Sequence, residues 1–332
     1  MTISTNSKQL NWLSENEVDG TLCDQDYICD VFSLADATSE IPINICFGNH
    51  LRLDDECQKR VYDLEGDYVL LHLSDERFEH DTDYYARAKV VFRTYFDPSK
   101  SSRGVYTLPV GYVDGFRSKL ETDEKWFNKK CIWSFFGAIK SDRQRMLNAF
   151  RPIGNGFEHI VKGWMTDDAL SPERVGQQYR STAFVPCSMG NISPDCYRAM
   201  EALEHGAIPV FIKFYGIDYF KFIYGDHPLV TCDSWPEAAN HVAAIMNDPK
   251  KLKAKQIEVR DWYGTFKADL RHDINAIISG NPQAVRGRQF QYQSEANQSR
   301  KIRSIFWWHF VARPKLLKLG RLFRPLTARL GF

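Results

Sequence analysis

The chain has 332 residues, of which 43% are hydrophobic and 26% are charged. These proportions argue against a wholly disordered chain, and the length suggests two domains, each large enough to bury its own core. The formal net charge of +1 gives the whole molecule no basic surplus of the kind that nucleic-acid-binding proteins carry. No run of about 20 apolar residues occurs, so the sequence predicts no conventional membrane-spanning helix.

Basic charge is concentrated at the C-terminus. Residues 300–332 hold nine Lys or Arg and no acidic residue, whereas the 299 residues before them hold 34 basic and 42 acidic residues. Aromatic residues such as Trp307 and Trp308 alternate with this charge at near-helical spacing, which is typical of a helix lying in an anionic membrane surface. The sequence predicts such a membrane partner for this basic tail. The alternative is docking on the acidic body of the protein itself, and no nucleic-acid partner is expected.

The eight cysteines are scattered, with no CxxC pair and no histidine at zinc-site spacing. Several lie in apolar, strand-like runs, which indicates buried, reduced thiols of a cytoplasmic protein rather than metal ligands or nucleophiles. Residues 1–13 are polar and lack the apolar core of a secretory signal. With the basic tail, the sequence therefore predicts a cytoplasmic protein that is peripheral on the inner membrane face.

Short β-rich runs alternate with stretches of helical periodicity along the chain. In the first half, strands are predicted at residues 41–47, 68–73, 89–95 and 105–110, and helices at 54–64 and 83–88. In the second half, strands are predicted at residues 132–136, 159–162, 183–186, 208–212 and 229–231, and helices at 141–150, 171–179, 193–205, 236–247 and 249–278.

Strands separated by helices indicate βαβ units and parallel sheets that are buried on both faces. Two such series predict an α/β protein with two Rossmann-like lobes that face a cleft, followed by the basic C-terminal tail. The predicted domains are an acceptor-side lobe at 1–120, a nucleotide-binding lobe at 121–280, and a linker with the tail at 281–332. In open α/β sheets ligands bind at the carboxyl ends of the strands, so the cleft is the expected active site.

Residues 181–212 hold the most informative pattern. A predicted strand ends just before Ser188, a loop with Gly190 and Asn191 follows, and Ser193 is suited to cap the next helix. A loop that leads into a helix N-terminus offers backbone N–H groups and the positive end of the helix dipole to an anion. These four residues are therefore predicted to bind a diphosphate.

Arg198 and Glu201 are three residues apart, which places them on one face of the same predicted helix. A guanidinium at this point can fork onto phosphate oxygens, and a carboxylate one turn later can accept hydrogen bonds from two ribose hydroxyls. The alternative is an exposed salt bridge between the two side chains.

In the order of their Ser, Pro, Gly, Tyr-Arg, Glu-Ala and Ile-Pro-Val elements, residues 181–212 resemble the C-terminal signature of exostosin-type glycosyltransferases, glycosyltransferase family 47. Residues 133–137 with 141–143 resemble the strand–glycine–arginine segment of that family. Residues 108–112 are similar to the Leu-Pro-Gly-Tyr stretch of its ribitol-xylosyltransferase-like branch. Together the matches extend over roughly residues 105–275.

The resemblance implies a two-lobed GT-B fold and an inverting transfer from a nucleotide-sugar to a glycan or lipid-linked glycan acceptor. It implies no obligatory metal and no cofactor other than the donor substrate. By matching position, Gly137 and Arg143 would border the diphosphate, Ser193 and Arg198 would contact it, and Glu201 would hold the ribose.

One departure from the family pattern concerns charge. The loop after Pro186 lacks the arginine that the family often has there. Lys140 or Arg143 is expected to supply the missing positive charge on the diphosphate.

An inverting transfer also needs a base for the acceptor hydroxyl, expected at the carboxyl end of a strand in the first lobe. His72, Asp75 and Glu76 are the candidates, and Asp75 is preferred because it directly follows the predicted strand. The alternative is that the acidic pair caps a helix and is solvated.

The sequence thus predicts an inverting glycosyltransferase of cell-surface polysaccharide or lipopolysaccharide assembly. The alternative is a catalytically inactive nucleotide- or glycan-binding module that kept the fold without the chemistry. A Rossmann-type oxidoreductase is disfavoured because no GxGxxG motif follows the first predicted strand.

Overall fold

Continuous apolar runs predict strands buried on both faces, and the computed structural model arranges such runs in two largely parallel sheets. The α/β class predicted from the sequence is confirmed. The structure describes residues 2–5, 8–13, 25–32, 42–47, 55–102, 104–117, 123–163 and 166–316.

The first sheet has six strands that follow one another in chain order, with β1 antiparallel to β2 and the other pairs parallel. Every residue of β4 and β5 is buried, as expected for strands covered on both faces. The two strands at the N-terminus are not predicted from the sequence, because their polar residues carry no apolar pattern. The strands are β1 Thr2–Thr5, β2 Lys8–Trp12, β3 Ile43–Phe47, β4 Val69–Leu73, β5 Val90–Thr94 and β6 Val105–Leu108.

The second sheet has five parallel strands in the order β8-β7-β9-β10-β11. The chain adds β8 on one side of β7 and β9 on the other, so the order reverses between β7 and β9. This is a doubly wound arrangement. The strands are β7 Cys131–Gly137, β8 Gly156–Ile160, β9 Thr182–Pro186, β10 Ile208–Ile212 and β11 Val230–Cys232.

Helices cover the sheets and connect them. The predicted long helix at 249–278 is confirmed as α8, and its Arg271 Nη2 donates to Asp30 Oδ1 of α1 at 2.6 Å. α8 comes after the last strand of the second sheet and after α7. It contacts α1, the helix that precedes β3 of the first sheet. The helices are α1 Gln25–Phe32, α2 Asp55–Tyr62, α3 Arg143–Phe150, α4 Pro172–Ser181, α5 Tyr197–Glu204, α6 Lys221–Tyr224, α7 Trp235–Met246, α8 Pro249–Ile278, α9 Arg288–Gln298 and α10 Arg300–Trp307.

The two sheets are separate along the chain. β6 ends at Leu108 and β7 begins at Cys131, so the boundary predicted at residue 120 falls between them. Residues 118–122 themselves lie outside the described part of the chain. The segment at 83–88, predicted as a helix, is a 3₁₀ turn at Asp83–Arg87.

The sequence predicts a linker up to residue 299, whereas the structure has helix α9 there. Gln293 explains the difference because its buried side-chain amide completes the hydrogen bonds of edge strand β6. Its Oε1 accepts from the Thr107 backbone N–H at 2.9 Å, and its Nε2 donates to the Thr107 and Phe222 carbonyl oxygens at 2.8 and 2.7 Å. A glutamine-rich segment is therefore an ordered part of the fold.

The basic tail begins as helix α10 and continues as a π-helical turn over Trp308–Ala312. One side of it is buried against the body of the protein through Phe306 and Phe310, whereas Trp307 is 60% and Trp308 44% exposed. The described part of the tail thus docks on the protein body, and its other side faces solvent. Residues 317–332 of the predicted tail lie outside the described part of the chain.

Across the described ranges, none of the helices combines the length and the apolar character needed to cross a bilayer.

Replacing Phe306 by alanine should lower the free energy of unfolding by about 3 kcal/mol, as for other buried aromatic side chains. Its ring centroid lies 5.4 Å from that of Phe214 and 5.5 Å from that of Phe96. The exposed neighbour Trp307 provides the control, and Trp307→Ala should change the free energy by less than about 0.5 kcal/mol. Urea unfolding measures both, and equal effects would mean that the tail is not docked through Phe306.

Candidate active site

The reversal of strand order between β7 and β9 defines the expected ligand crevice of the second sheet, outside the carboxyl ends of these two strands. β7 ends at Gly137 and β9 ends at Pro186. Gly137 has φ +140°, a conformation that favours glycine. Both segments that the sequence predicts to bind a diphosphate therefore start at this crevice.

Two guanidinium groups lie against Gly137. A Cβ atom at this position would be 3.4 Å from Nη1 of Arg143 and 3.6 Å from Nη1 of Arg198. Both arginines are more than nine-tenths buried, and neither forms an ion pair with a carboxylate among the residues that the structure describes. Burial and the neighbouring charge of Arg198 lower the pKa of Arg143 to about 9. Two buried like charges that no carboxylate pairs with directly favour the binding of an anion.

Backbone carbonyl groups orient this arginine pair. Arg143 Nη1 donates to the Ala138 carbonyl oxygen at 2.7 Å and its Nη2 to that of Met189 at 3.1 Å. Arg198 Nη2 donates to the Ser188 carbonyl oxygen at 2.6 Å. Nε of Arg198 is buried without a hydrogen-bond partner. The guanidiniums are thus held in place by neutral acceptors rather than by carboxylates.

The loop after β7 is hydrogen-bonded to the loop after β9. Lys140 Nζ donates to the side-chain oxygen of Asn191, and Ser141 Oγ donates to the Asn191 carbonyl oxygen at 2.9 Å. Burial and the nearby charge of Arg143 lower the pKa of Lys140. Lys140 therefore lies at the crevice, and its contact with a diphosphate stays a prediction.

The backbone N–H groups of the β9–α5 loop bind a carboxylate from the first sheet. Glu76 Oε1 accepts from the backbone N–H groups of Asn191, Ile192 at 3.0 Å and Ser193 at 3.3 Å. A Cβ atom at Gly190 would lie 2.5 Å from the same oxygen, so a larger residue would displace Glu76. The sequence predicts a diphosphate on these N–H groups, whereas the structure has Glu76 there. These N–H groups are therefore already occupied, whereas no carboxylate pairs with the two guanidiniums.

The helix predicted at residues 193–205 begins later, because α5 starts at Tyr197 with Cys196 as its N-cap. Asp195 accounts for this shift: its Oδ1 accepts from the Cys196 backbone N–H at 2.9 Å and its Oδ2 from the Val110 N–H at 3.2 Å. Ser193 consequently lies in the loop, buried, and does not cap the helix. Burial raises the pKa of Asp195 well above its usual value.

Arg198 and Glu201 share the buried face of α5. No ion pair joins them, and Glu201 is only 6% exposed, so the alternative of an exposed salt bridge is wrong. Burial raises the pKa of Glu201 to about 8. The charge of Arg198 and a hydrogen bond from the Val113 backbone N–H lower this pKa, but by less than burial raises it. Val113 follows β6, so the Glu201 carboxyl lies where α5 meets the segment that leaves the first sheet.

Two of the three candidate bases lie in a buried network behind the strand ends of the first sheet. His72 Nε2 lies 2.8 Å from Nδ1 of His80, and burial, with the charge of Arg93, lowers the pKa of His72 well below its usual value. Asp75 Oδ2 accepts from Arg93 Nη2 at 2.9 Å. Both side chains are buried and bonded within the first sheet's network. Glu76 is also buried, at 4% exposed, but it reaches the loop after β9. Glu76 is the candidate at the crevice.

The same network brings together possible metal ligands. One ligand atom from each of His72, Asp75 and His80 lies within 4.8 Å of the others. The guanidinium of Arg93 pairs with Asp75, and its positive charge would repel a cation there. Because these polar groups already bind one another, we assign the cluster no metal.

Sequence reasoning missed two residues around the crevice. Arg93, the ion-pair partner of Asp75, was detectable as a charged residue inside an apolar strand, which requires a buried partner. His309 Nε2 lies 2.9 Å from the Ile192 carbonyl oxygen and brings the tail to the β9–α5 loop. No local pattern indicates that contact, because the two residues are 117 positions apart.

Gly137, Arg143, Ser188 and Arg198, which carry the glycosyltransferase resemblance, thus lie at one crevice. A scan against models of protein families found no family that matches the chain, and a search of curated proteins found no matching sequence. The family assignment stays a prediction that rests on these motifs.

Proposed function

We propose that the protein is an inverting glycosyltransferase that moves a sugar from a nucleotide-sugar donor to a glycan or lipid-linked glycan acceptor. The observation that carries this proposal is the buried pair of guanidiniums, Arg143 and Arg198, beside Gly137 at the reversal of strand order. In the proposed reaction, the two sheets belong to the lobes of a GT-B-type enzyme.

The chemistry of the transfer suits this pair. When the bond between the anomeric carbon and the diphosphate breaks, negative charge develops on the leaving phosphate oxygens. Oriented guanidiniums in a desolvated crevice stabilise that charge in the transition state, and Lys140 adds a third cation. Because Ala138, Met189 and Ser188 carbonyl groups already fix the arginines, little reorganisation is needed when charge develops.

Glu76 is the best placed of the three candidate bases. It lies on the loop after β4 and contacts Asn191 and Ile192 of the second sheet's loop. In that position its carboxylate separates the proposed donor site from the strand ends of the first sheet, where an acceptor is expected. It would take the proton of the acceptor hydroxyl as that oxygen attacks the anomeric carbon from the face opposite the diphosphate.

Binding of nucleoside diphosphates tests the donor site directly. UDP, GDP and the nucleotide CMP, each in large excess over Kd, should be compared in thermal unfolding, and the matching one should raise the melting temperature by a few degrees. Release of that nucleotide from its sugar conjugate, with and without candidate acceptors, tests turnover. Failure of all three to stabilise the fold would contradict the proposal.

One observation favours the second candidate, an inactive nucleotide- or glycan-binding module. The carboxylates of Asp75 and Glu76 are both occupied, the first by Arg93 and the second by three backbone N–H groups. An inactive module would bind the nucleotide or glycan without accelerating its transfer. Glu76→Gln separates the two candidates: in an enzyme it should cost about a hundredfold or more in turnover, whereas in a module there is no turnover to lose.

We further propose that the enzyme acts at an anionic membrane surface, on the cytoplasmic side. The outward side of the tail combines exposed Trp308 and Leu316 with exposed Lys301 and Arg313. Trp308→Ser with Leu316→Ser should reduce sedimentation with phosphatidylglycerol vesicles while leaving the buried contacts of Phe306 in place. Unchanged sedimentation would contradict the membrane association.

A further inference from the structure

A groove of about 740 Å³ separates the docked tail from the loops that follow β4 and β5. It is within the size range of small-molecule sites, and it lies at the carboxyl ends of parallel strands. The tail forms one wall through Arg300, Arg303 and Trp307, and the loops form the other through Arg77 and Lys100.

The groove carries an excess of positive charge. Five basic residues line it against two acidic ones, Glu79 and Asp97. Both carboxylate oxygens of Asp97 already accept hydrogen bonds from Ser99, at 2.8 Å each. Nε of Arg77 is buried without a hydrogen-bond partner. Within the described ranges none of the five cations forms an ion pair, so their charge is available to an anionic ligand.

Apolar surface adjoins these cations. Phe78 of the β4 loop packs edge to face on Phe310 of the tail at 4.5 Å between ring centroids. Next to this pair, Trp307 and Val311 line the groove and are 60% and 38% exposed. A ligand that fills the groove therefore meets both guanidiniums and aromatic or aliphatic side chains.

The groove also lies next to the candidate donor site. Arg77 follows Glu76 directly, and the charge of Arg77 contributes to the lowered pKa of Lys140. His309 of the tail contacts the Ile192 carbonyl oxygen at 2.9 Å, on the loop that Glu76 binds. The groove and the arginine pair are thus neighbours across Glu76.

We propose that this groove binds a phosphate-bearing amphiphile. Its phosphate lies among Arg77, Lys100, Arg300 and Arg303, and its apolar portion lies on Phe78, Trp307 and Phe310. Binding of the amphiphile does not depend on catalysis. The further statement, that the amphiphile is the acceptor of the transfer, rests on the proposed function. The docked tail then has a defined role, because it supplies half of the acceptor site.

Calorimetric titration of the full chain tests the groove with three probes: octyl phosphate, octyl glucoside and inorganic phosphate. The two octyl compounds are used below their critical micelle concentrations. Octyl phosphate should bind most tightly. Arg300→Gln with Arg303→Gln should weaken it about tenfold or more, because two charge-assisted contacts are lost. The matched control is Lys250→Gln with Lys253→Gln, which removes the same charge from exposed positions of α8 that do not line the groove.

The proposal is overturned if octyl phosphate binds no more tightly than inorganic phosphate or octyl glucoside, or if the control pair weakens it equally. Either result would mean that the groove does not recognise the amphiphile. Nucleotide stabilisation of Arg300→Gln with Arg303→Gln should match the wild type, which also shows that the variant is folded. A chain that binds octyl phosphate through these arginines but no nucleotide would refute the proposed function and leave the groove intact.

Discussion

Arg198→Ala should abolish measurable turnover and weaken nucleoside diphosphate binding by about a hundredfold, since losing one partner of a buried charge pair costs roughly 3 kcal/mol. Arg198 is the guanidinium with a buried, unpartnered Nε, and it lies beside Gly137 at the reversal of strand order. A diphosphate there would otherwise meet Arg143 and Lys140 alone. Calorimetric titration and release of the nucleotide measure the two effects.

Two variants control this experiment. Arg198→Lys keeps the charge without the planar fork, and it should recover part of the affinity but little of the turnover. Arg145→Ala removes an exposed arginine from the same helix as Arg143 and should leave both quantities unchanged. Thermal unfolding without ligand shows whether each variant is folded. A folded Arg198→Ala that binds nucleotide as the wild type does would remove the basis of the donor site.

Most of the fold was predictable because its strands are continuous apolar runs. The predicted strands at 183–186 and 208–212 match β9 and β10 within a residue. The misprediction of α9 as a linker has its cause in a partner far away in the sequence. Gln293 belongs to a polar segment whose order depends on the backbone of Thr107, 186 positions earlier, and no local pattern reports that bond.

The candidate site divides in the same way. The arginine pair was predictable because Arg143 and Arg198 lie at the starts of helices that follow strands. At such a position both the helix dipole and the family resemblance indicate an anion-binding residue. The occupation of the loop by Glu76 was not, since Glu76 and Asn191 are 115 positions apart. The start of α5 was mispredicted for a related reason: Ser193 and Pro194 favour a helix start locally, but Asp195 bonds instead to Val110 of the chain after β6.

The buried face of α5 that carries Arg198 should make the stability of the protein depend on pH. Glu201 shares that face, and burial raises its pKa to about 8 from an ordinary value of 4.5. The folded protein therefore retains the proton of Glu201 up to about pH 8, whereas the unfolded chain loses it near its ordinary value. Between these values the folded state binds more protons, so the contribution of Glu201 to stability falls as the pH rises.

Glu201→Gln should remove this loss. The free energy of unfolding of the variant, relative to the wild type, should increase steadily from about pH 5 to pH 8 by a total on the order of 4 kcal/mol and then level off. Urea unfolding at a series of pH values measures the difference, and subtraction cancels the titration of other groups. Glu65→Gln, at an exposed position, should give a difference close to zero throughout. A flat profile for Glu201→Gln would contradict the raised pKa of Glu201. It would mean that the wild-type carboxyl is ionised and solvated in the folded protein, as expected of an open ribose-binding residue, and is not buried next to Val113.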